Sequence, residues 1–165
     1  MELIDIGNAL QAQLFGSRDD DFDELPVFKS NPTLLSRLVS KLTYSVRDAP
    51  PRYIAVDMSH VADQGGFDIA VYTDDLVFHL TYDPMVDHIT TTAVSRGSIK
   101  SVELLSAPNF MAGTVPGTYQ GSVEVMVSYE TLNVKLPGDN RASERNRREL
   151  DAFLVSLFRD LARTR

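Results

Sequence analysis

Three histidines and a surplus of carboxylates are the side chains of this 165-residue chain with the most evident chemistry. His60, His79 and His88 are its imidazoles, and Asp83, Asp87 and His88 fall within one short segment. Carboxylate and imidazole together can ligate a metal ion. No second histidine, however, stands at a spacing of two or four residues, which a metal site usually needs. We therefore predict a polar surface turn at this segment and no metal site.

Motifs for nucleophilic catalysis and nucleotide binding are missing from the sequence. It contains no Gly-x-Ser-x-Gly elbow, no phosphate-binding Gly-x-x-x-x-Gly-Lys-Ser/Thr loop and no Gly-x-Gly-x-x-Gly turn. It also contains no cysteine, which excludes thiol nucleophiles and thiolate metal sites. Paired carboxylates could act as in glycosidases, but the sequence does not show which of them are close. We predict no catalytic residue and no cofactor, and we favour a non-enzymatic protein over an enzyme.

Arginines near the C-terminus recur at helical spacing. Arg141, Arg145 and Arg148 fall on one side of a helix at about 100° per residue. Such a ridge could bind an anionic partner, or it could be a solvated helix face whose charges are paired locally. The solvated interpretation, which we favour, predicts three ion pairs: Glu144–Arg148, Arg145–Glu149 and Arg147–Asp151. The three ridge arginines stay candidate partner-binding residues.

The segment 107–117 combines glycines and prolines with three apolar side chains, Phe110, Met111 and Val115. Apolar side chains on a long loop can form a binding hot spot for a partner protein. Alternatively, the loop folds back so that these residues cover a sheet. Both interpretations stay open, and these residues form the second candidate partner-binding set.

Helices are predicted where apolar residues recur every three or four positions, over 3–15, from Asn31 to Ala49, and after residue 140. The last helix has the strongest periodicity, and its predicted buried face comprises six residues: Leu150, Phe153, Leu154, Leu157, Phe158 and Leu161. The acid-rich stretch 18–24 predicts a solvated connector.

Strands are predicted between residues 52 and 136, where apolar and polar residues alternate in seven short runs. The odd spacing between Ile99 and Val102 indicates a β-bulge in the fifth run. His79 alternates with Phe78 and Leu80, so we expect it on the solvent-facing side of its strand.

The charge of the chain is −7, and it is uneven: residues 1–95 hold 6 basic and 15 acidic residues, and residues 96–165 hold 10 and 8. An acidic chain argues against nucleic-acid binding and against adhesion to anionic lipid. No run of 18 apolar residues is present, so no membrane span is predicted. Glu2 and Asp5 stand where a signal peptide would carry Lys or Arg, and we expect a cytoplasmic protein.

Seven consecutive strands followed by one amphipathic helix resemble the pleckstrin-homology-like (PH-like) superfold. The segments 98–104 and 150–154 are similar to the corresponding strand and helix of bacterial PH-like proteins. The resemblance spans about residues 52–163 and implies an α+β fold: a curled antiparallel sheet, or split barrel, capped by the C-terminal helix. It divides the chain into a helical N-terminal extension with an acidic linker, 1–48, and a PH-like domain, 49–165. Lipocalin-like and secretion-chaperone-like α+β folds are the alternatives.

Lipid-binding members of the superfold hold inositol phosphates with Lys and Arg in the turn between the first two strands. The corresponding segment, 62–66, contains Asp63 and no basic residue, which argues against phosphoinositide binding. We expect a non-enzymatic protein-interaction or scaffolding module of the bacterial cytoplasm, with a protein or peptide partner. The alternative is a small-ligand carrier or enzyme that uses a cleft of the curled sheet.

The apolar stripe of the second predicted helix, which includes Leu34, Leu38 and Leu42, needs a covering surface. Either the sheet of the same chain or a second copy could cover it. We favour a homodimer.

Overall fold

The computed structural model describes residues 2–59, 65–107 and 123–164, and these form an α+β fold. Its four α-helices are α1 (Leu3–Gly16), α2 (Pro26–Ser30), α3 (Leu34–Val46) and α4 (Glu144–Arg163). Its seven strands are β1 (Tyr53–Asp57), β2 (Phe67–Tyr72), β3 (Leu76–Asp83), β4 (His88–Ser95), β5 (Ile99–Ser106), β6 (Glu124–Tyr129) and β7 (Asn133–Leu136).

The strands form two antiparallel sheets in chain order, β1-β2-β3-β4 and β5-β6-β7. A register shift between Ile99 and Ser101 against β6 confirms the predicted bulge. The described strands do not close into one barrel, although an isolated bridge between Val56 and Gly138 links β1 to the segment after β7. The α+β class with N-terminal helices and a C-terminal helix is thus confirmed, whereas the seven-strand split barrel stays a proposal.

Strands β1 and β2 of the first sheet are buried on both faces. Ile54, Ile69 and Leu80 belong to one buried face, and they pack in a cluster with the N-terminal helices. Tyr53 and Tyr72 belong to the opposite face, which packs in a second cluster with the second sheet and α4. Both strands are apolar at nearly every position, and they can therefore pack against apolar neighbours on both faces.

The N-terminal helices lie on the first sheet of their own chain. The apolar stripe of α3 is fully buried in the first cluster through Leu34, Leu38 and Leu42. A homodimer is therefore not required to cover it. The boundary at residues 48 and 49 between an extension and a domain stays a prediction.

The acid-rich stretch is not a fully solvated connector, and the expectation is wrong for two of its residues. Arg18 and Phe22 are buried. The ring of Phe22 stacks between those of Phe15 and Phe28, with centroid distances of 5.5 and 5.0 Å. The packing of this aromatic row holds the stretch against the sheet, while the acidic residues 19, 21, 23 and 24 are exposed.

Helix α4 begins after Ser143, whose hydroxyl accepts a hydrogen bond from the Asn146 backbone N–H and donates one to the carbonyl of Gly16. This serine therefore caps α4 and ties it to the end of α1. Leu150, Phe153 and Leu157 are buried, as their periodicity predicts. Phe158, predicted on the same buried face, is instead 51% exposed.

Candidate interaction surface

Strand β5 lies at an edge of the second sheet. It pairs with β6 along one side, and no other described strand pairs with its second side. A strand edge of this kind presents backbone N–H and C=O groups that can hydrogen-bond to an added strand.

Exposed apolar side chains occur on β5 and on the C-terminal helix that packs against it. Leu104 is 58% exposed, and Leu105, Val155 and Phe158 are also exposed. Helix α4, which carries the last two, packs against β5. We call the open edge of β5 together with Leu104 and Phe158 the β5–α4 surface.

The β5–α4 surface continues a row of apolar side chains that begins in the core. Val102 lies on the same face of β5 as Leu104, and it packs against the second cluster together with Leu154 and Leu161 of α4. Phe158 is four residues from Leu154 and three from Leu161, so it lies on the same flank of the helix. Leu104 thus continues the apolar face of β5 past Val102, Phe158 continues the apolar flank of α4 past Leu154 and Leu161, and both side chains are exposed.

The edge of β4 differs from that of β5. Strand β4 is also the last strand of its sheet, and residues 90–93 are exposed. Those residues are three threonines and an alanine, so β4 offers backbone groups without large apolar side chains. Strand β5 therefore combines an open edge with an apolar surface, whereas β4 has only the open edge.

The predicted arginine ridge lies at the start of α4 and in the turn before it. Arg141, Arg145 and Arg148 are all exposed near the start of the helix. The guanidinium of Arg145 lies beside Gly16 of α1, about 20 Å along the helix axis from Phe158. The structure does not bring this ridge to the β5–α4 surface.

Two of the three predicted ion pairs on α4 are present. Arg145 donates to Glu149 at 2.8 Å, and Arg148 pairs with Glu144. Arg147 instead donates to the backbone carbonyls of Asn140 and Ala142, so it closes the turn before the helix. The presence of the two pairs agrees with the solvated interpretation of this helix face.

The second candidate set, Phe110, Met111 and Val115, lies outside the described residues. The described part of β5 ends before this segment and β6 begins after it. Whether these side chains bind a partner stays a prediction.

The segment with Asp83, Asp87 and His88 is a surface turn between β3 and β4, as predicted. Asp87 accepts hydrogen bonds from Arg37, at 2.6 Å, from Asn31 and from the Tyr82 hydroxyl. The hydrogen bond from Arg37 lowers the pKa of the Asp87 carboxyl. In the part of the chain that the structure describes, no group of three His, Cys, Asp or Glu residues is placed to hold a metal ion.

Three buried tyrosines lie between the first sheet, the second sheet and α4. The Tyr53 hydroxyl donates to Asn146 at 2.7 Å, and the buried hydroxyls of Tyr72 and Tyr129 interact with each other. Burial raises the pKa of all three, that of Tyr129 to about 12. These phenols stay protonated at neutral pH, so they are poor general bases.

Comparison with known proteins does not assign the chain to a family. No family model, no curated protein and no solved structure matches it. None of the helices in the described ranges combines the length and apolar character that a bilayer span demands.

Proposed function

We propose that this protein is a non-enzymatic protein-interaction module that binds an extended peptide segment of a partner along the β5–α4 surface. The main support for this proposal is that β5 has an open edge and that Leu104 of β5 and Phe158 of α4 are exposed. In strand addition, main-chain hydrogen bonds supply affinity, and pockets for alternate side chains supply specificity. Scaffolding in the bacterial cytoplasm is the setting that we propose for this binding.

The surface indicates the chemistry of the bound segment. An added strand points alternate side chains to the same face of the sheet. Those on the face of Leu104 would meet Leu104 and Phe158, both of which are large and apolar. We therefore expect a segment with large apolar residues two positions apart and no proline at the positions whose N–H groups pair with β5, since proline lacks that N–H.

The PH-like superfold is part of the proposal. Two antiparallel meanders of four and three strands, followed by a helix that packs on the second sheet, support it. Inositol phosphates are not the proposed ligands. The turn between β1 and β2 lies mostly outside the described residues, and the strand positions next to it, Asp57 and Asp68, are acidic.

A peptide selection tests the proposed function. Peptides selected from a displayed random library against the full chain should share apolar residues at alternate positions. Their amide chemical-shift changes should map to β5 and α4. Leu104→Glu and Phe158→Asp should each weaken binding about tenfold or more, because they place a charge in the apolar contact.

The matched control is Thr91→Glu on the edge of β4, which should leave peptide affinity unchanged. Selected peptides that map to another surface, or that bind Leu104→Glu as tightly as the natural chain, would contradict the proposal. Pairing of two copies through β5 would be seen as a dimer in sedimentation equilibrium that Leu104→Glu converts to a monomer. That result would replace the peptide partner with a second copy.

A small-ligand carrier is the second candidate function. The observation that favours it is a cleft lined by polar and apolar residues of both sheets, among them Asp57, His79 and Lys135.

A further inference from the structure

A cleft of about 340 Å³ runs along one flank of α1. Its first wall is a stripe of that helix at helical spacing: Ile6, Ala9, Leu10 and Gln13. Its second wall is the end of α3 and the connection to β1, from Val46 to Pro51. This volume lies within the range of small-molecule binding sites in proteins.

The lining of this cleft is mainly apolar. Ile6, Leu10 and Val46 are buried, so they form its deep part. The rest of the apolar lining consists of small or cyclic side chains: Ala9, Ala49, Pro50 and Pro51. Because an alanine side chain fills little space, these residues leave the deep part open to a ligand.

The charged residues of this cleft are Arg47 and Asp48. They are neighbours in the chain, they have opposite signs, and both are exposed. Adjacent opposite charges largely cancel at a distance, so this end of α1 has little net charge to offer a ligand. Its apolar surface is therefore its main means of binding.

A smaller cleft of about 110 Å³ lies next along α1. Gln13 and Pro51 line both clefts, so the two meet at these residues. Together they follow α1 from Ile6 to Gly16, about 15 Å along the helix axis. We call the two clefts together the α1 groove, and the smaller one is its polar end.

The polar end meets the start of α4 through Arg145, Asn146 and Glu149. Nε of Arg145 donates to Glu149 at 2.8 Å, and its Nη1 would lie 3.9 Å from a Cβ on Gly16. The guanidinium thus stands beside the end of α1, and within the described residues its terminal nitrogens make no hydrogen bond. An exposed ion pair contributes little stability, so these nitrogens stay available to an incoming anion.

The other polar side chains of this end already have partners. Asn146 is buried, and its amide donates to the carbonyl of Ile54 at 2.7 Å and accepts from a tyrosine hydroxyl. Arg52 donates to both carboxylate oxygens of Asp74. Arg145 is therefore the cation of the described lining whose terminal donors face the groove unpaired.

We propose that the α1 groove binds a fatty acid of medium chain length. Its hydrocarbon chain lies against Ile6, Leu10 and Val46, and its carboxylate accepts hydrogen bonds from the terminal nitrogens of Arg145. Burial of the chain supplies affinity, and the guanidinium selects a carboxylate over a cation. A groove of about 15 Å suits an extended chain of about ten carbons, since carbon–carbon bonds are about 1.5 Å long.

Titration of the ¹⁵N-labelled full chain with decanoate tests the proposal. The amide signals of Ala9, Ala49 and Asn146 should shift in a saturable way at concentrations up to about 1 mM. Decylammonium, which has the same chain and the opposite charge, should bind at least about tenfold more weakly. Butyrate has the same carboxylate and a much shorter chain, and it should bind about a hundredfold more weakly.

The role of Arg145 is tested with Arg145→Gln. This variant should bind decanoate about tenfold more weakly, because it removes a charge-assisted contact. It should bind 1-octanol, which has no charge, as the natural chain does. Arg148→Gln is the matched control, because Arg148 also pairs with a glutamate four residues away on α4 but does not line the groove. Its decanoate affinity should stay natural.

The apolar end is tested by filling it. Ala9→Leu should weaken binding of both decanoate and 1-octanol about tenfold or more, and leucine is a good helix former at this exposed position of α1. Ala49→Leu fills the cleft from the opposite wall and should have the same effect. Ala152→Leu, on the exposed face of α4, is the matched control and should keep the natural affinity.

A decanoate titration without saturable shifts at these amides overturns the proposal. Equal affinity for decylammonium and decanoate also overturns it, as does a natural decanoate affinity in folded Ala9→Leu or Arg145→Gln chains. None of these results affects peptide binding at the β5–α4 surface, because Leu104 and Phe158 do not line the α1 groove.

Discussion

The guanidinium of Arg18 lies 2.6 Å from the carboxylate of Asp139, although the two residues are 121 positions apart in the chain. Both side chains are almost fully buried, with 3% and 6% exposure. The Asp139 carboxylate also accepts hydrogen bonds from the backbone N–H groups of Met58 and Arg141. This network joins the end of α1, the end of β1 and the segment between β7 and α4.

Replacement of Arg18 by alanine should strongly destabilise the protein. The substitution leaves the Asp139 carboxylate buried without its cation, and breaking a buried pair in this way costs about 3–5 kcal/mol in free energy of unfolding. Urea unfolding at pH 7 measures the change. Arg52→Ala, which breaks an exposed pair with Asp74, is the control and should have a much smaller effect. Equal effects of the two substitutions would show that the Arg18 network does not stabilise the fold.

The stability of the protein should depend on Asp20 in acid. The hydrogen bond from Arg18 lowers the pKa of Asp20 below its ordinary value of 3.8. A carboxyl with a lower pKa in the folded state stabilises the fold above its unfolded pKa, and this contribution is lost as the pH falls through the folded pKa. Urea midpoints measured from pH 7 to pH 2 should therefore fall less steeply below about pH 4 in Asp20→Asn than in the natural chain.

The control for this pH dependence is Asp21→Asn, which removes an exposed carboxylate from the same acid-rich stretch. Its midpoints should follow the natural chain. Identical acid slopes in Asp20→Asn and the natural chain would contradict the assigned role of the Arg18–Asp20 pair.

Gly138 should not tolerate a side chain. Its φ of +110° is a conformation that other residues rarely adopt, and a Cβ at this position would lie 2.2 Å from the carbonyl oxygen of Val56. Gly138→Ala should therefore lower the free energy of unfolding by about 3 kcal/mol or more. Gly97→Ala is the control, because its Cβ would meet only the Ser95 hydroxyl, at 3.4 Å. If Gly138→Ala melts at the same temperature as the unsubstituted chain, β1 and the segment after β7 do not approach each other this closely.

The N-terminal helices should stabilise the rest of the chain. They cover the face of the first sheet that contains Val56, Ile69 and Leu80. A chain of residues 49–165 would expose this apolar face, so it should melt at a lower temperature or associate. Sedimentation equilibrium and thermal unfolding of both chains measure these effects. If the shorter chain keeps the mass and melting temperature of the full chain, the helices do not stabilise the sheet.

Local patterns in the sequence predicted most of the elements. The helices α1, α3 and α4, the seven strands and the bulge at Ile99 follow from the spacing of apolar residues. The spacing did not show that β1 and β2 are buried on both faces, one against the N-terminal helices and one against the second sheet and α4. Val77 and His79 alternate with the core residues Phe78 and Leu80 and were expected to face solvent, yet Val77 is fully buried and the side chain of His79 is only 20% exposed. Periodicity assigns a residue to a face, but only tertiary packing decides what covers that face.

The candidate interaction surface was harder to predict. Phe158 fits the periodicity of the buried face of α4 and is nevertheless exposed, because α4 packs on β5 with only part of its apolar face. The open edge of β5 depends on the separation of the two sheets, and no local pattern encodes that separation. Burial of Arg18 was missed for a related reason. Its partner Asp139 lies far along the chain, and the acidic neighbours of Arg18 indicate a solvated segment.

Substitutions of Phe153 and Phe158 form a matched pair, because the first residue lies on the buried face of α4 and the second is exposed. The Phe153 ring stacks on Tyr53 at 5.2 Å and meets the edge of Tyr72 at 5.0 Å. The guanidinium of Arg96 lies 5.2 Å from the centre of the same ring. Truncation to alanine would leave a cavity among these groups and should cost about 3–5 kcal/mol in free energy of unfolding.

Phe158→Ala should give the opposite result, because half of its side chain surface is already in water. Its urea midpoint should stay close to that of the natural chain, while its affinity for a selected peptide should fall about tenfold. Phe153→Ala, measured under conditions in which it remains folded, should keep that affinity. A natural urea midpoint for Phe153→Ala would show that α4 does not close the second core. A natural peptide affinity for Phe158→Ala would remove α4 from the proposed binding surface and leave only the edge of β5.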